Sequence, residues 1–368
     1  MNKQIVIPKE NFDKNLYPRF ILTADFGGTN SYLAVMAVKD NKNFDMLFKY
    51  SCLTSEIIHV EEILNRLLEE AKKDYDAEIS IACFGVAGPV LERREYVKMT
   101  NADIEINASE IISKTNLKKV ILVNDFEAVG YGLDMLDIEK DVVKLSHPGE
   151  DITKTWTATH TIAALGAGSG LGMTIAQYNK EMHLHTPFPC EGGHSDFAPY
   201  DQKELELVEF LKENALTKRD VHPELERVLT GKGMENIYRF LISREGAASS
   251  EITDMINTLK GVDKLKEIEN NYGKDPLCKE TIDMFISIYA RTARMVALMS
   301  ECYSGLYIVG RIAIQNLDRL REPSFMETFE KHDKRSDVLR KVPVYVVTNP
   351  NLGLFGCCNV AVNFFYIK

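Results

Sequence analysis

Apolar residues follow two rhythms along this chain, and their alternation predicts a layered α/β protein. Residues 19–38 (RFILTADFGGTNSYLAVMAV) form a β-type apolar run, a Gly-rich polar turn and a second apolar run, the pattern of a hairpin. Residues 161–178 (TIAALGAGSGLGMTIAQY) repeat that form roughly 140 positions later, which suggests two related α/β halves. Between them Val60, Ile63, Leu64, Leu67, Leu68 and Ala71 fall at helical spacing, with Glu61, Glu62, Glu69 and Glu70 elsewhere, so an amphipathic helix is predicted. The runs 79–84 and 120–123 are short and apolar without polar alternation, as expected of strands buried on both faces of a helix-covered sheet. Further helices are predicted at about 202–213, 280–302 and 354–365. Residues 264–279 and 319–340 are charged and poorly periodic, and predict surface loops with short helices.

Length changes this picture, because 368 residues that are 45% hydrophobic exceed one compact core and predict two lobes with a central cleft. The 44 basic against 54 acidic residues give a formal charge of -10, which argues against nucleic-acid or anionic-membrane partners where no basic patch reverses it. The opening nineteen residues lack the apolar core of a secretion signal. No later run approaches the roughly 18 apolar residues of a membrane helix, so a cytoplasmic protein is expected. Seven scattered cysteines without a C-x-x-C pair, including Cys357 and Cys358 in an apolar segment, are expected to be buried free thiols.

Four polar clusters interrupt the apolar pattern. In Asp25-Phe26-Gly27-Gly28-Thr29-Asn30 the glycines let backbone N–H groups approach an anion and Thr29 and Asn30 add donors, so the turn is either a phosphate cradle or an ordinary hairpin turn. A carboxylate beside such a cradle calls for a cation, which makes Asp25 a candidate Mg²⁺ ligand, directly or through water. The second turn, Gly168-Ser169-Gly170, has the same physics. Its alternating glycines are only loosely like a dinucleotide-binding G-x-G-x-x-G turn, and that reading fails because a strand and not a helix follows. Asn124-Asp125 closes the buried run VILV and opens a helical pattern, a place equally suited to a helix cap and to a ligand site. As a functional group, Asp125 fits a general base that takes a hydroxyl proton during phosphoryl transfer. Glu191-Gly192-Gly193-His194, followed by Asp196, offers paired donors and acceptors. With one His and no second His or Cys at ligand spacing, hydroxyl recognition suits the cluster better than zinc.

These pieces occur in one order, LTADFGGTN, VKMTNADIEI, VNDFEAVGYGLDML, GAGSGLG, PCEGGHSDFAPYD, ERVLTGKGMENIYRFL, LYIVGRIA and NPNLGLFGC. The whole resembles bacterial-type glucokinases of the hexokinase, actin and Hsp70 ATPase superfamily. That resemblance implies a duplicated ribonuclease H-like (actin-like ATPase) α/β fold, with a small domain of 1–134 plus 350–368 and a large domain of 135–349. It further implies ATP and Mg²⁺ as cofactors, glucose as substrate, a homodimer, and Asp125 as the catalytic base. Asn124, Asp125, Glu191, His194 and Glu226 match the family's sugar ligands. Asp25, Gly27, Gly28, Thr29 and Asn30, with Gly168, Ser169 and Gly170, match its phosphate turns, and Gly310 its adenosine motif. Three departures stand out: Arg311 replaces a usual second glycine, Ile104 stands where relatives often carry an aromatic, and 145–159 is a long insertion expected to form a surface loop. The alternatives to set against glucose phosphorylation are a related hexose kinase using ADP or polyphosphate, and a sugar-sensing regulator without catalysis.

Overall fold

The computed structural model describes residues 1–90, 94–99, 104–145, 159–188, 190–214, 221–244, 246 and 250–363. The chain opens with β1 (Asn2–Ile5), β2 (Arg19–Phe26), β3 (Asn30–Val38) and β4 (Phe44–Leu53), followed by α1 (Val60–Tyr75) and β5 (Ile81–Val86). A short ribbon of β6 (Tyr96–Lys98) and β7 (Glu105–Asn107) leads into α2 (Ala108–Lys114), β8 (Lys119–Asn124) and α3 (Asp125–Gly132). Next come β9 (Val142–Leu145), β10 (Ile162–Ala167), β11 (Leu171–Asn179), β12 (Leu184–Phe188) and α4 (Gln202–Glu213). Four helices follow, α5 (Gly231–Ser243), α6 (Glu251–Thr258), α7 (Gly261–Asn270) and α8 (Pro276–Ser300). The remainder is β13 (Gly305–Val309), α9 (Arg311–Gln315), α10 (Leu317–Leu320), α11 (Pro323–Glu330), α12 (Ser336–Leu339), β14 (Val344–Val347) and α13 (Leu352–Asn363). Two compact units result, one of Met1–Ile138, Ala176–Pro189 and Asn351–Lys368, the other of Glu139–Ile175 and Cys190–Pro350.

In the first unit the sheet runs β1-β4-β3-β2-β5-β8. The predicted β2–β3 hairpin is antiparallel, while β5 and β8 continue it in parallel. Alternate residues serve opposite faces, as strands covered on both sides require. Leu22, Ala24, Ala82 and Phe84 join Leu64, Leu67, Leu68 and Ala71 of α1, whereas Ile21, Cys83, Ile121 and Val123 join Leu354, Cys357 and Cys358 of α13. Each fully buried leucine among these contributes roughly 2 kcal/mol. Helices α3 and α13 approach backbone to backbone. A Cβ on Gly356 would lie 1.7 Å from the Ala128 carbonyl oxygen, and one on Gly132 would lie 2.4 Å from that of Leu352. Arg94, at φ +61°, places its guanidinium against buried Glu127 in a two-pronged ion pair of 2.9 and 2.7 Å, which fixes the first turn of α3 from outside.

The second unit repeats the plan. A β10–β11 hairpin is extended in parallel by β13 and β14, with β9 antiparallel at the edge. Its core is built on α8, which buries Leu277, Ile282, Phe285, Ile288 and Tyr289. The Tyr289 hydroxyl accepts from the Ala167 N–H at 3.2 Å and donates to the Leu165 carbonyl at 3.3 Å, which secures the end of β10.

Some expectations are corrected. Residues 264–279 do carry helix, but they are not merely surface, because α7 covers 261–270 with Ile268 fully buried and α8 begins at Pro276, ahead of the predicted 280. Asp275 caps that helix, its Oδ1 accepting from the Cys278 N–H at 2.9 Å, and Pro276 supplies the preset first turn. Residues 319–340 do form short helices, yet Phe325 and Phe329 are fully buried, so the segment is core and not merely surface. Of the seven free thiols Cys190 is exposed and the other six are buried. Most of the 145–159 insertion, residues 146–158, lies outside the described residues, as do 364–365 of the predicted last helix. Among the described residues no helix is long and apolar enough to cross a membrane.

Candidate active site

The first unit gathers Asp25, the Gly27–Asn30 turn, Asn124 and Asp125 at strand ends. Asp25 is the penultimate residue of β2, in register with Gly85 of β5 and Tyr32 of β3. Half-buried, it packs so closely on α13 that a Cβ at Gly353 would lie 2.6 Å from its Oδ2. Burial and the negative charge of Asp125 push its carboxyl up to about 7. The turn after it is braced by fully buried Thr54, whose hydroxyl donates to the Gly27 carbonyl at 2.7 Å and whose N–H donates to the Thr29 carbonyl at 2.9 Å. Thr29 and Asn30 remain exposed at the rim.

Asn124 ends β8 and caps α3, so the structural and functional readings of this residue coexist. Its Oδ1 accepts from the N–H groups of Phe126 (2.9 Å) and Glu127 (3.2 Å), and its Nδ2 donates to the Gly88 carbonyl at 3.2 Å. Both acceptor sites are occupied, which leaves one amide N–H for an external hydroxyl. Asp125 is the first residue of α3, half-buried, with Oδ1 accepting from the Phe126 N–H at 2.9 Å.

In the second unit Gly168, Ser169 and Gly170 make the turn between β10 and β11. The Gly168 N–H donates to the Gly170 carbonyl at 2.8 Å, and the Gly231 N–H at the start of α5 donates to the Gly168 carbonyl at 3.0 Å. Ser169 is exposed. Gly310, at φ +96°, links β13 to α9, and exposed Arg311 opens that helix.

Glu191 and His194 flank a short helical turn laid against β11. A Cβ on Gly193 would lie 2.0 Å from the Leu171 carbonyl oxygen, so only glycine permits this approach. Glu226 reaches the same strand, its Oε2 accepting from the Leu171 N–H at 3.0 Å. The structure thus brings Glu191, His194 and Glu226 together and adds Glu224, which the sequence reading missed. The ligand atoms of His194, Glu224 and Glu226 lie within 4.8 Å of one another. His194 Nδ1 is bonded to Glu224 at 2.9 Å and Glu226 to Leu171, so the group is already organised by hydrogen bonds.

A hairpin continued by two parallel strands, present in both units with a polar Gly turn at each hairpin tip, is the duplicated plan of the actin-like ATPase fold. The glucokinase family profile matches residues 22–363. A glucokinase of Trichormus variabilis is 31% identical over 348 residues, spanning 91% of this chain and 97% of the relative. Among solved structures, glucokinase from Balamuthia mandrillaris in complex with glucose superposes with a TM-score of 0.75 at 20% identity, covering 93% of each chain. A ROK family glucokinase from Streptomyces griseus in complex with glucose and AMPPNP gives 0.61 at 17% identity, covering 92% of this chain and 99% of that one. The chain belongs to the glucokinase family.

Proposed function

We propose that this chain transfers the γ-phosphoryl group of ATP to the 6-hydroxyl of glucose, giving glucose 6-phosphate and ADP, with Asp125 as the base. The observation that carries this reading is the seat of Asp125, a carboxylate on the first turn of α3 at the end of a buried strand and in electrostatic contact with Asp25. Asp125 accepts the hydroxyl proton as the sugar oxygen bonds to the γ-phosphorus and the bond to the bridging oxygen breaks, leaving ADP. The backbone N–H groups of Gly28 and Gly170, with the side chains of Thr29, Asn30 and Ser169, hold the phosphates, while Gly27 and Gly168 close the two turns by donating to the Asn30 and Gly170 carbonyls. Gly310 lets the backbone approach the adenosine. Asn124, through its remaining N–H, and Glu191, His194 and Glu226 bind sugar hydroxyls. The glucose and nucleotide-analogue complexes of the two solved relatives support this assignment of substrates.

Asp25 suits a divalent cation, because its carboxyl is raised to about 7 by burial and by Asp125, a penalty that a nearby positive charge relieves. Mg²⁺ bound there with the nucleotide would neutralise phosphate charge. The -10 net charge supports small-molecule partners over nucleic acid. Use of ATP supports a cytoplasmic place of action, and a homodimer is the assembly to test by light scattering.

The test is product formation from glucose and Mg-ATP, read through glucose 6-phosphate dehydrogenase, with Asp125→Asn alongside. The variant is expected to bind glucose and lose at least about two orders of magnitude in turnover. Retained turnover would sink the assignment of the base. Arg311, exposed beside Gly310, is the observation that makes ADP and polyphosphate the donors to try next should the wild type prove inactive with ATP.

A further inference from the structure

Residues 194–197 and 223–225 are locked in register by backbone pairing. Asp196 and Glu224 form an antiparallel bridge, the Phe197 N–H donates to the Pro223 carbonyl at 2.8 Å, and the Leu225 N–H donates to that of Ser195 at 2.8 Å. This pairing delivers the Glu224 Oε2 to 2.9 Å from His194 Nδ1. A carboxylate can only accept, so Nδ1 carries a proton. The other carboxylate oxygen of Glu224 lies 3.1 Å from Arg227 Nε, which orients the group. The second ring nitrogen, Nε2, lies 3.9 Å from Glu191 Oε2. That separation is too long for a hydrogen bond, yet a hydroxyl oxygen about 2.8 Å from each atom would span it.

We propose that Glu224 is a positioning residue for sugar recognition, holding the His194 ring by its Nδ1–H and so presenting Nε2 to one hydroxyl shared with Glu191. The proposal rests on the reading of Glu191 and His194 as sugar ligands. Three carboxylates surround the imidazole, and their effect is cooperative with this geometry: the hydrogen bond to Glu224 leads in raising the His194 pKa, Glu226 and Glu191 add to it, and partial burial opposes them. In the doubly protonated ring Nε2–H donates to the hydroxyl oxygen, and the hydroxyl donates its own hydrogen to Glu191. Glu224 thereby selects a ligand group that accepts and donates at once, which an alcohol does and an ether or a deoxy position does not.

The experiment compares full-length wild type with Glu224→Ala, Glu224→Gln, His194→Ala and the Glu224→Ala/His194→Ala pair. Glucose affinity is measured by calorimetry, turnover by the coupled assay, and the His194 ring by ¹⁵N NMR. Glu224→Ala is expected to weaken glucose binding about tenfold, the scale of one hydrogen bond to a charged group, with kcat nearly unchanged. Glu224→Gln, whose amide oxygen still accepts from Nδ1–H, is expected to lose about threefold or less and to keep Nδ1 protonated. The double variant is expected to bind no more weakly than His194→Ala. Weakened binding in His194→Ala beside wild-type affinity in Glu224→Ala would overturn the proposal alone, as would losses that multiply in the double variant. Unchanged affinity in His194→Ala would overturn the sugar-ligand reading and the proposal with it.

Discussion

Glu226 Oε2 accepts a hydrogen bond from the backbone N–H of Leu171 at 3.0 Å, so a candidate sugar ligand is tied to the end of a candidate phosphate turn. The contact is tight enough that a Cβ at Gly170 would lie 3.0 Å from the same oxygen. Glu226→Gln and Glu226→Ala separate the two duties of this carboxylate. Gln retains an oxygen for Leu171 and loses the charge, so the urea midpoint should hold while glucose binding weakens about tenfold or more. Ala also leaves a backbone N–H without its acceptor and should lower the midpoint as well. Wild-type glucose affinity in Glu226→Gln would remove Glu226 from the sugar ligands.

The crossing of α3 and α13 depends on the absence of a side chain. With the Ala128 carbonyl 1.7 Å from the position a Cβ would take, Gly356→Ala must push the helices apart. A cost of about 1–3 kcal/mol or more in urea unfolding is expected, together with reduced turnover because α3 carries Asp125. Gly273→Ala is the matched control, since a Cβ there meets nothing within 4 Å. Equal unfolding midpoints for the two variants would refute the packing argument.

Much of this arrangement was legible from local pattern. Both hairpins announced themselves as β-type runs around Gly turns, and Asn124 and Asp125 as the join of a buried strand and a helix. What the sequence concealed depends on contacts distant along the chain. Glu224 lies thirty positions from His194, inside a polar stretch with no periodicity of its own, and only the Asp196–Glu224 bridge makes them neighbours. Arg94 lies 33 positions from Glu127 with no local pattern to link them, yet it is paired with that buried carboxylate. The start of α8 was misplaced because the apolar spacing strengthens only after its first turn, while the capping signal, Asp275 before Pro276, sits upstream of that spacing.

Tyr289 offers a test of how the core supports the second turn. Its hydroxyl is the acceptor for the Ala167 N–H and a donor to the Leu165 carbonyl, all in buried surroundings. Tyr289→Phe leaves the ring packing but removes the acceptor of the Ala167 N–H and a donor to the Leu165 carbonyl, for a loss of about 1–3 kcal/mol. Hydrogen exchange at the Ala167 amide should accelerate, and the KM for ATP should rise more than that for glucose, because Gly168 follows directly. Unaltered exchange at Ala167 would show that the hydroxyl does not hold the strand end.

Asp25 gives the pH prediction, and its sign follows from the direction of the shift. The folded chain holds the Asp25 proton up to about 7, well above the ordinary carboxylate value of about 4 that the unfolded chain has. Protonated Asp25 therefore contributes stability that is fully present below about pH 4 and is lost as pH rises through about 7. Above that, the native protein carries a desolvated carboxylate beside Asp125. Asp25→Asn never ionises, so in metal-free buffer its urea midpoint should nearly match the wild type at pH 4 and exceed it increasingly toward pH 8. A gap that stayed constant across this range would mean that Asp25 titrates normally, and the electrostatic case for a cation at this position would fall with it.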